Sequence, residues 1–449
     1  MSSDKTSDTH TESLLQAVEE NDAIVNWEDI ETKTKGQILE ALNTTNSDTN
    51  HPDYLVYPRT EEQLAKIIAI AKNTKWRILT CGGASKLNWG GLTKQINLVI
   101  STERLNQRIE HAIGDFTVTV DAGVNFAHLQ KTLAKQNQFL ALNPTFPDRA
   151  TLGGIIATSD TGSLRQRYGS VRDQLLGITF VRHDGEIVKA GGKVVKNVAG
   201  YDLMKLFTGS YGTLGVITQL TFRLYPIQEA SGTVVITGAK DKISEAAGIL
   251  RGSGLTPTDA DLVASQLIEY LLSNLKLDPA SGRKDTDLGL IVRFQSIKES
   301  VQEQSKQILE IAQKLNLYSV MFFDTDEEEL WQLLHLQMHN INTKFPISCK
   351  IGVLPSNASE IMSNVEVGYI HNASGLGILR VENEKDVMRM RNICQSCAGF
   401  LSVLEAPKSV KDNLDIWGYK GNALNLMQQI KSKFDPENMF NPGRFVGEI

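Results

Sequence analysis

The sequence has few cysteines, no long apolar run and no excess of positive charge. Four cysteines in 449 residues are too few for a disulfide framework. No apolar stretch approaches the roughly 18 residues that a membrane-spanning helix requires. The formal net charge of −6 provides no basic field to attract nucleic acid. These absences exclude disulfide-rich secreted proteins, helical membrane proteins with a transmembrane segment and general nucleic-acid binders.

The N-terminal residues also lack the features of a secretory signal. The segment from Met1 to about Asp22 is polar and has no apolar core, which predicts a cytoplasmic protein. A hydrophobic content of 41% and a charged content of 22% are typical of a globular protein. Because a single core rarely grows beyond roughly 250–300 residues, we expect two or three domains.

Patterns that bind metals are scarce. Cys394 and Cys397 have C-x-x-C spacing, but no second pair completes a zinc site and no four-cysteine run predicts an iron–sulfur cluster. We interpret this pair as two small residues near a helix end, with a redox pair as the alternative. His335 and His339 have i, i+4 spacing on a helix with an apolar side, and we interpret them as surface or packing residues. We therefore expect no metal.

Two common phosphate-binding fingerprints, G-x-G-x-x-G at the start of a helix and G-x-x-x-x-G-K-[ST], are also absent. Instead, three other glycine-rich turns lie next to strand-like runs, at 81–86, 151–158 and 209–217. Glycine lets backbone N–H groups approach a ligand closely, and successive N–H groups form a concave anion site that suits a pyrophosphate. The three turns predict a dinucleotide held mainly by main chain.

Strands and helices alternate in the sequence without a regular βαβ period, which favours an α+β fold over a doubly wound sheet. Thr60 and Gln63 form a capping box that opens a helix over 60–72. In the first half, the patterns predict strands at 76–80, 95–100, 117–120, 177–181 and 216–222, and a helix near 126–136. In the second half, they predict strands at 232–237, 289–294 and 317–323, and helices at 298–314, 326–340 and 423–434. No internal repeat is evident.

The glycine-rich turns resemble the FAD-binding domain of the vanillyl-alcohol oxidase/p-cresol methylhydroxylase (PCMH) superfamily. Five further segments carry the resemblance: 57–63, 121–123, 168–173, 196–202 and 434–444. The resemblance covers nearly everything from about Asp53 to the end. Within the superfamily, the chain is most similar to the FAD-binding subunits of glycolate oxidase, the smaller flavin-type subunits of that complex.

The resemblance implies a PCMH-type FAD-binding domain in two parts and an α+β cap domain of ferredoxin-like topology. We expect a polar N-terminal extension and linker at 1–50 and the FAD-binding domain at 51–228. The cap is expected at 229–400, and residues 401–449 are expected to return to the FAD-binding domain.

Transferred residue by residue, the resemblance predicts the cofactor site. Lys86 is expected to add a cation to the N–H groups of the first turn, and the third turn is expected to reach the adenine end. The alternatives are a tight strand-to-loop connection at the first turn and a close helix approach through Gly153 and Gly154. The predicted FAD-binding residues are Cys81, Gly82, Gly83, Ala84, Ser85, Lys86, Pro144, Thr151, Leu152, Gly153, Gly154, Ala157, Thr158, Tyr168, Gly169, Gly215 and Ile217.

Several positions depart from the family pattern or allow a structural interpretation. Many covalent flavoproteins of the superfamily have a histidine just after the first glycines, but residues 85–89 contain none, so we expect non-covalent FAD. Tyr211 replaces the usual glutamate of the third turn. A buried Arg172–Asp173 pair is one alternative for that segment, and an ion pair between Lys196 and Asp202 is expected to order the 196–202 loop.

The catalytic residues are not identified by the sequence. The resemblance implies a larger sister subunit of glycolate oxidase with histidine-rich metal and substrate motifs. The corresponding segment here, 369–379, contains only His371 and no acidic partner. Arg293 and Arg380 could hold a substrate carboxylate, but nothing in their spacing singles one out.

Three functions are therefore considered. The first is a FAD-binding subunit of a glycolate (2-hydroxy acid) oxidase complex, whose partners are a catalytic flavin subunit and an iron–sulfur subunit. Such a subunit would be cytoplasmic or would lie peripherally at the inner membrane through its partners. The second is a stand-alone FAD-dependent alcohol or 2-hydroxy acid dehydrogenase. The third is a non-catalytic structural subunit that binds FAD.

Overall fold

The computed structural model describes residues 12–18, 23–43, 51–193, 200–275, 287–340 and 344–449. Contacts within the chain define two units. The first unit comprises Met1–Thr161, Ser170–Pro226 and Lys420–Ile449, and the second comprises Gly162–Gly169 and Ile227–Tyr419.

The first unit contains a four-stranded sheet in the order β1-β2-β4-β3. Strands β2, β3 and β4 run parallel to one another and β1 runs antiparallel to β2. The helix Glu61–Thr74 connects β2 to β3, and its cap residue Thr60 accepts a hydrogen bond from the backbone N–H of Gln63, as the sequence predicts. The strands are β1 (Ile24–Asn26), β2 (Tyr54–Val56), β3 (Ile78–Cys81) and β4 (Leu98–Ser101).

A second sheet of the same unit has five antiparallel strands in the order β5-β6-β10-β8-β9. Its strand β8 is buried along its whole length, and β10 is buried apart from two residues. The strands are β5 (Ile109–Ala112), β6 (Thr117–Asp121), β8 (Leu175–Val181), β9 (Ile187–Gly191) and β10 (Val216–Arg223), while β7 (Gln138–Phe139) pairs with β11 (Tyr225–Pro226).

Helices of the first unit cover these sheets and connect their strands. Residues 12–18 are helical, and Leu14 and Val18 are buried against the core of the four-stranded sheet. Among the described residues, the other α-helices of this unit are Thr32–Ala41, Phe126–Ala134, Leu152–Thr158, Val171–Gln174, Leu203–Phe207 and Leu424–Phe434.

The second unit is built on an eight-stranded antiparallel sheet in the order β15-β12-β14-β13-β17-β18-β16-β19. In chain order, the first four strands form a βαββαβ motif with one further helix, Ser265–Asn274, inserted between the second and third strands. Their spatial order, fourth-first-third-second, is ferredoxin-like. The last four strands repeat this topology from the other side. The strands are β12 (Ala230–Gly238), β13 (Asp259–Ala264), β14 (Leu288–Ser296), β15 (Tyr318–Phe322), β16 (Ile347–Gly352), β17 (Val367–His371), β18 (Leu376–Val381) and β19 (Phe400–Glu405).

Helices cover both faces of this sheet. Because side chains alternate along a strand, Val234 and Ile236 face one core while Val235 between them faces the other. The four helices on the first face are Lys240–Gly252, Lys298–Lys314, Ala358–Met362 and Glu384–Ser396, and the helices on the second are Ser265–Asn274 and Asp324–His339. The remaining helices of this unit are Arg165–Tyr168 and Lys408–Asn413.

The structure confirms the α+β class and differs from the sequence analysis in three places. Residues 12–18 and 23–43 pack into the first unit instead of forming an extension, and the rest of the predicted extension and linker at 1–50 lies outside the described residues. Gly162–Gly169 belongs to the second unit, which extends to Tyr419 because β19 pairs with β16. The topological repeat in the second unit leaves no trace in the sequence, since shared strand order does not require shared side chains.

Candidate functional site

A cavity of about 680 Å³ in the first unit is lined by all three glycine-rich turns. Thirteen of the predicted site residues line it: Cys81, Gly82, Gly83, Ala84, Ser85, Lys86, Thr151, Gly153, Gly154, Ala157, Thr158, Gly215 and Ile217.

The other four predicted residues do not line this cavity. The Leu152 side chain is fully buried in the core of the five-stranded sheet. Tyr168 and Gly169 belong to the second unit. Pro144 is buried and lies two residues after Leu142, which packs in the same core as Leu152. These four residues are therefore not among the residues that line the cavity.

The first turn follows β3 and requires glycine. A β-carbon on Gly82 would lie 2.0 Å from the Thr151 hydroxyl oxygen, and one on Gly83 would lie 2.6 Å from the Arg149 carbonyl oxygen. Both distances are too short for any real contact, so the first and second turns approach each other only because neither glycine has a side chain.

The second turn opens the helix Leu152–Thr158, which Thr151 caps by accepting a hydrogen bond from the Gly154 N–H at 3.3 Å. The two glycines of this helix have different surroundings. A β-carbon on Gly153 would lie 2.9 Å from the Ala122 β-carbon, whereas one on Gly154 would meet only the Thr151 hydroxyl at 3.2 Å. Gly153 therefore allows close packing, against the residue that follows β6 and not against another helix as the alternative interpretation required, while Gly154 leaves cavity space free.

Lys86 lines the cavity, but its ammonium group is already paired. Its Nζ lies 2.9 Å from Asp160 Oδ2, and both side chains are buried. Asp160 also accepts hydrogen bonds from the backbone N–H and the hydroxyl of Thr145. Because the pair neutralises itself, Lys86 does not provide the free positive charge that the sequence analysis expected.

The C-terminal segment contributes Arg444 to the cavity lining. Asp435 holds the turn before it by accepting hydrogen bonds from Lys431 Nζ and from the N–H groups of Met439 and Phe440. Asn441 then donates to the Tyr211 carbonyl at 2.7 Å, which joins the segment to the third turn. The sequence analysis identified this segment but no site residue in it.

Tyr211 and Cys81 also line the cavity, and both are held in their neutral forms. Burial raises the pKa of the Tyr211 phenol. Burial, together with the nearby Glu103 carboxylate, raises the pKa of the Cys81 thiol to about 12. A protonated thiol is a poor nucleophile, so Cys81 is unsuited to a covalent flavin bond although it lies at the cavity.

A second polar cluster lies in the second unit and involves His371. Its Nδ1 lies 2.7 Å from Asp261 Oδ1, and Ser163 donates a hydrogen bond to Asp261 Oδ2 at 2.6 Å. All three residues are buried. The segment 369–379 contains no acidic residue, but His371 has an acidic partner 110 positions away on a neighbouring strand.

The other polar residues that the sequence analysis considered have structural contacts. Arg293 binds Glu327 at 3.0 Å, and Arg380 donates to the carbonyl oxygens of Phe345 and Met338. Asp173 is exposed and caps a helix through Ser170, so the buried pair with Arg172 is wrong.

Only part of the 196–202 loop lies within the described residues. Lys196 lies outside the described residues, and Asp202 pairs with Lys205 at 2.7 Å. Cys394 and Cys397 are free thiols at the end of the helix Glu384–Ser396. Within the described ranges, no group of three or more metal-ligating side chains could hold an ion, and no helix is long and apolar enough to cross a membrane.

Comparison with known proteins identifies two family domains in the chain. Residues 52–191 match the FAD binding domain family, and residues 418–445 match the C-terminal domain of FAD linked oxidases. The first match contains the first two glycine-rich turns, and the second ends one residue after Arg444.

Relatives at the sequence level include hydroxy-acid oxidoreductases. The D-lactate dehydrogenase [cytochrome] of Arabidopsis thaliana is 26% identical over 90% of this chain and 75% of its own length. Glycolate oxidase subunit GlcD of Bacillus subtilis is 23% identical over 94% of both chains. The D-2-hydroxyglutarate dehydrogenase of Stutzerimonas stutzeri is 25% identical over 91% of this chain and 96% of its own length.

Solved structures show the same fold. p-Cresol methylhydroxylase superimposes with a TM-score of 0.75 at 15% identity, covering 97% of this chain and 96% of its own. An alkyldihydroxyacetonephosphate synthase gives a TM-score of 0.71 at 16% identity, covering 97% and 86%. The chain therefore contains a FAD binding domain and the C-terminal domain of FAD linked oxidases, is similar to hydroxy-acid oxidoreductases and has the PCMH fold.

Proposed function

We propose that this chain is the FAD-binding subunit of an oxidoreductase complex that acts on the CH–OH group of glycolate or a related 2-hydroxy acid. The observation that carries the proposal is the cavity of the first unit, where three glycine-rich turns expose backbone to one space. The names of three relatives, which include D-lactate dehydrogenase, a glycolate oxidase subunit and D-2-hydroxyglutarate dehydrogenase, support the substrate class.

The residues at the cavity fit FAD. Gly154 leaves space where a side chain would intrude, and Gly82 and Gly83 let the first turn approach the second. We assign the backbone N–H groups of residues 82–85 to the pyrophosphate, and Gly215 and Ile217 to the adenine end. When bound there non-covalently, FAD supplies hydride or electron transfer, while the protein orients the cofactor and excludes water.

Subunit function rather than independent catalysis is proposed because oxidation of a 2-hydroxy acid needs more than a flavin. The substrate carboxylate must be held and its hydroxyl proton must pass to a positioned base. Arg293 and Arg380 are both engaged in internal contacts, and His371 is buried against Asp261. These three candidates from the sequence therefore serve the packing of the second unit.

Reconstitution tests the proposal. We expect the isolated, FAD-loaded chain to oxidise glycolate slowly or not at all with an artificial electron acceptor. Addition of the catalytic flavin subunit and the iron–sulfur subunit should restore turnover and yield one stable complex on gel filtration. Failure of the chain to join these subunits would contradict the proposal.

A stand-alone FAD-dependent 2-hydroxy acid dehydrogenase is the second candidate. It is favoured by the alignment with the Arabidopsis thaliana D-lactate dehydrogenase, which spans 90% of this chain. Rapid turnover of D-lactate by the isolated chain would establish this function and remove the need for partners. A structural subunit that binds FAD without redox exchange is the third candidate, and it predicts no flavin reduction even within the complex.

A further inference from the structure

Two cationic side chains line the cavity, and they differ in whether a carboxylate neutralises them. Lys86 is neutralised by Asp160 at 2.9 Å. Arg444 has no salt bridge to any carboxylate among the described residues, and its residue is only 4% exposed. A buried cation without an opposite charge is costly, so an anion from outside the chain is the expected partner.

The guanidinium of Arg444 is only partly satisfied. Its Nη2 donates to the carbonyl oxygens of Lys86 at 3.2 Å and Leu87 at 2.7 Å, which fixes the side chain against the end of the first turn. Its Nη1 is buried and has no hydrogen-bond partner in the part of the chain that the structure describes. A buried donor without a partner calls for an explanation, because most such groups are paired in native structures.

The surroundings favour an acceptor that carries negative charge. Burial lowers the pKa of the Arg444 guanidinium to about 10, so the group is still protonated at neutral pH. No acidic side chain lines the cavity, whose other lining residues are neutral apart from Lys86. Arg444 is therefore the one uncompensated charge among these lining residues.

We propose that Arg444 completes the FAD site by donating a hydrogen bond from Nη1 to an electron-rich oxygen of the bound cofactor. The inference rests on the proposed place of FAD in this cavity. The oxygen belongs either to the pyrophosphate or to a ring carbonyl of the flavin, and both accept from a guanidinium. The role of cationic ligand that the sequence analysis gave to Lys86 passes to Arg444.

Equilibrium binding to the FAD-free full-length chain tests the inference. Arg444→Gln keeps a donor for the two carbonyl oxygens and removes the charge, while Arg444→Lys keeps the charge. We expect Arg444→Gln to raise the Kd of FAD by about 10- to 100-fold and Arg444→Lys by less, as for loss of a charge-assisted hydrogen bond. Binding is measured by quenching of flavin fluorescence and by calorimetry.

Arg391 provides a matched control. It is also a buried arginine that donates to two backbone carbonyl oxygens, those of Leu401 and Ile416, but it lies in the second unit and does not line the cavity. Arg391→Gln should lower thermal stability and leave the Kd of FAD unchanged. Comparison of Arg444→Gln with Arg391→Gln therefore separates the loss of a cofactor contact from a general loss of packing.

Two simpler ligands show whether the oxygen that accepts the hydrogen bond from Arg444 belongs to the pyrophosphate or to the flavin ring. ADP contains the pyrophosphate without a flavin, and riboflavin contains the flavin without phosphate. If Arg444→Gln binds ADP more weakly than the wild-type chain does but binds riboflavin equally well, the contact is to the pyrophosphate. If it binds riboflavin more weakly but ADP equally well, the contact is to the flavin ring. Unchanged FAD affinity in a folded Arg444→Gln chain would overturn the inference. A wild-type chain that bound no FAD would instead overturn the cofactor site on which the inference rests.

Discussion

Gly153 and Gly154 are neighbours in one short helix, yet substitution at each should have a different effect. A β-carbon on Gly153 would collide with Ala122, so any side chain there disturbs the packing of the helix against β6 and its following turn. At Gly154, the nearest atom to a β-carbon is the Thr151 hydroxyl oxygen at 3.2 Å, and the residue lines the cavity. Gly153 is therefore required for packing, whereas Gly154 keeps space free for the cofactor.

Gly154→Leu is expected to abolish FAD binding while the fold persists. The branched side chain would occupy the cofactor space, and leucine is a better helix former than glycine. FAD at 100 times its Kd stabilises the wild-type chain by about 2.7 kcal/mol, and the variant should lose this increment. Thermal unfolding with and without added FAD measures it.

Gly154→Ala is the matched control for this prediction. Its single methyl group is tolerated with a small shift of the Thr151 side chain, so the variant should keep most of its FAD affinity. Full FAD occupancy in Gly154→Leu would show that the second turn is not part of the cofactor site.

Non-covalent attachment of FAD is a second prediction at the residue scale. Residues 82–89 contain no histidine, and the pKa of the Cys81 thiol, raised to about 12 by burial, keeps it protonated at neutral pH. Acid precipitation should therefore release all flavin into the supernatant, where its absorbance is measured. Cys81→Ala should behave in the same way, and flavin retained by the washed pellet would refute the claim.

At the scale of the element, β13 of the second unit carries two buried acidic residues with different environments. Asp261 accepts hydrogen bonds from Ser163 and contacts His371, so both carboxylate oxygens are engaged. Asp259 lies opposite Arg293 on β14, but its Oδ2 has no hydrogen-bond partner within the described chain. Burial raises the pKa of Asp259 to about 6.

This raised pKa predicts a pH-dependent cost at Asp259. The pKa of this carboxyl is near 4 in the unfolded chain and about 6 in the folded state. At a pH between these two values, the folded state keeps the proton while the unfolded state loses it. The contribution of Asp259 to the free energy of unfolding therefore falls as the pH rises through this interval. Asp259→Asn, which cannot ionise, should therefore gain stability relative to wild type by about 2 kcal/mol between pH 4 and pH 7.5. Denaturant unfolding at both pH values measures this difference.

Asp412→Asn serves as the control because Asp412 is exposed on the helix Lys408–Asn413. Because the site is exposed, this substitution should change the free energy of unfolding much less than Asp259→Asn does. An equal effect of both substitutions, or no pH dependence in Asp259→Asn, would show that burial of Asp259 does not disfavour its charge.

At the scale of the whole molecule, the sequence predicted what local patterns encode. Glycine-rich turns mark backbone that must approach a ligand, and a capping box marks a helix start, so the three turns and the helix from Glu61 were found directly. Long-range partners have no such local pattern. The contact of Arg444 with Lys86 of the first turn spans 358 positions, and the pairing of His371 with Asp261 spans 110.

Unit membership was the other feature that local patterns could not show. Tyr168 and Gly169 follow the second turn closely along the chain, but the structure assigns their segment to the second unit. Strand order in the eight-stranded sheet likewise depends on contacts between distant segments, such as β13 with β17. Proximity in sequence was therefore a poor guide at these positions, whereas the two family domains were recognised from their motifs.

The central claim is that this FAD-binding chain depends on partner subunits to oxidise a 2-hydroxy acid. Anaerobic stopped-flow mixing of the isolated, FAD-loaded chain with excess glycolate or D-lactate tests it most directly, with flavin absorbance as the readout. We expect the oxidised flavin spectrum to persist with either acid, and to bleach once the catalytic flavin and iron–sulfur subunits are present. Rapid bleaching by either acid in the isolated chain would contradict the claim and identify a stand-alone dehydrogenase.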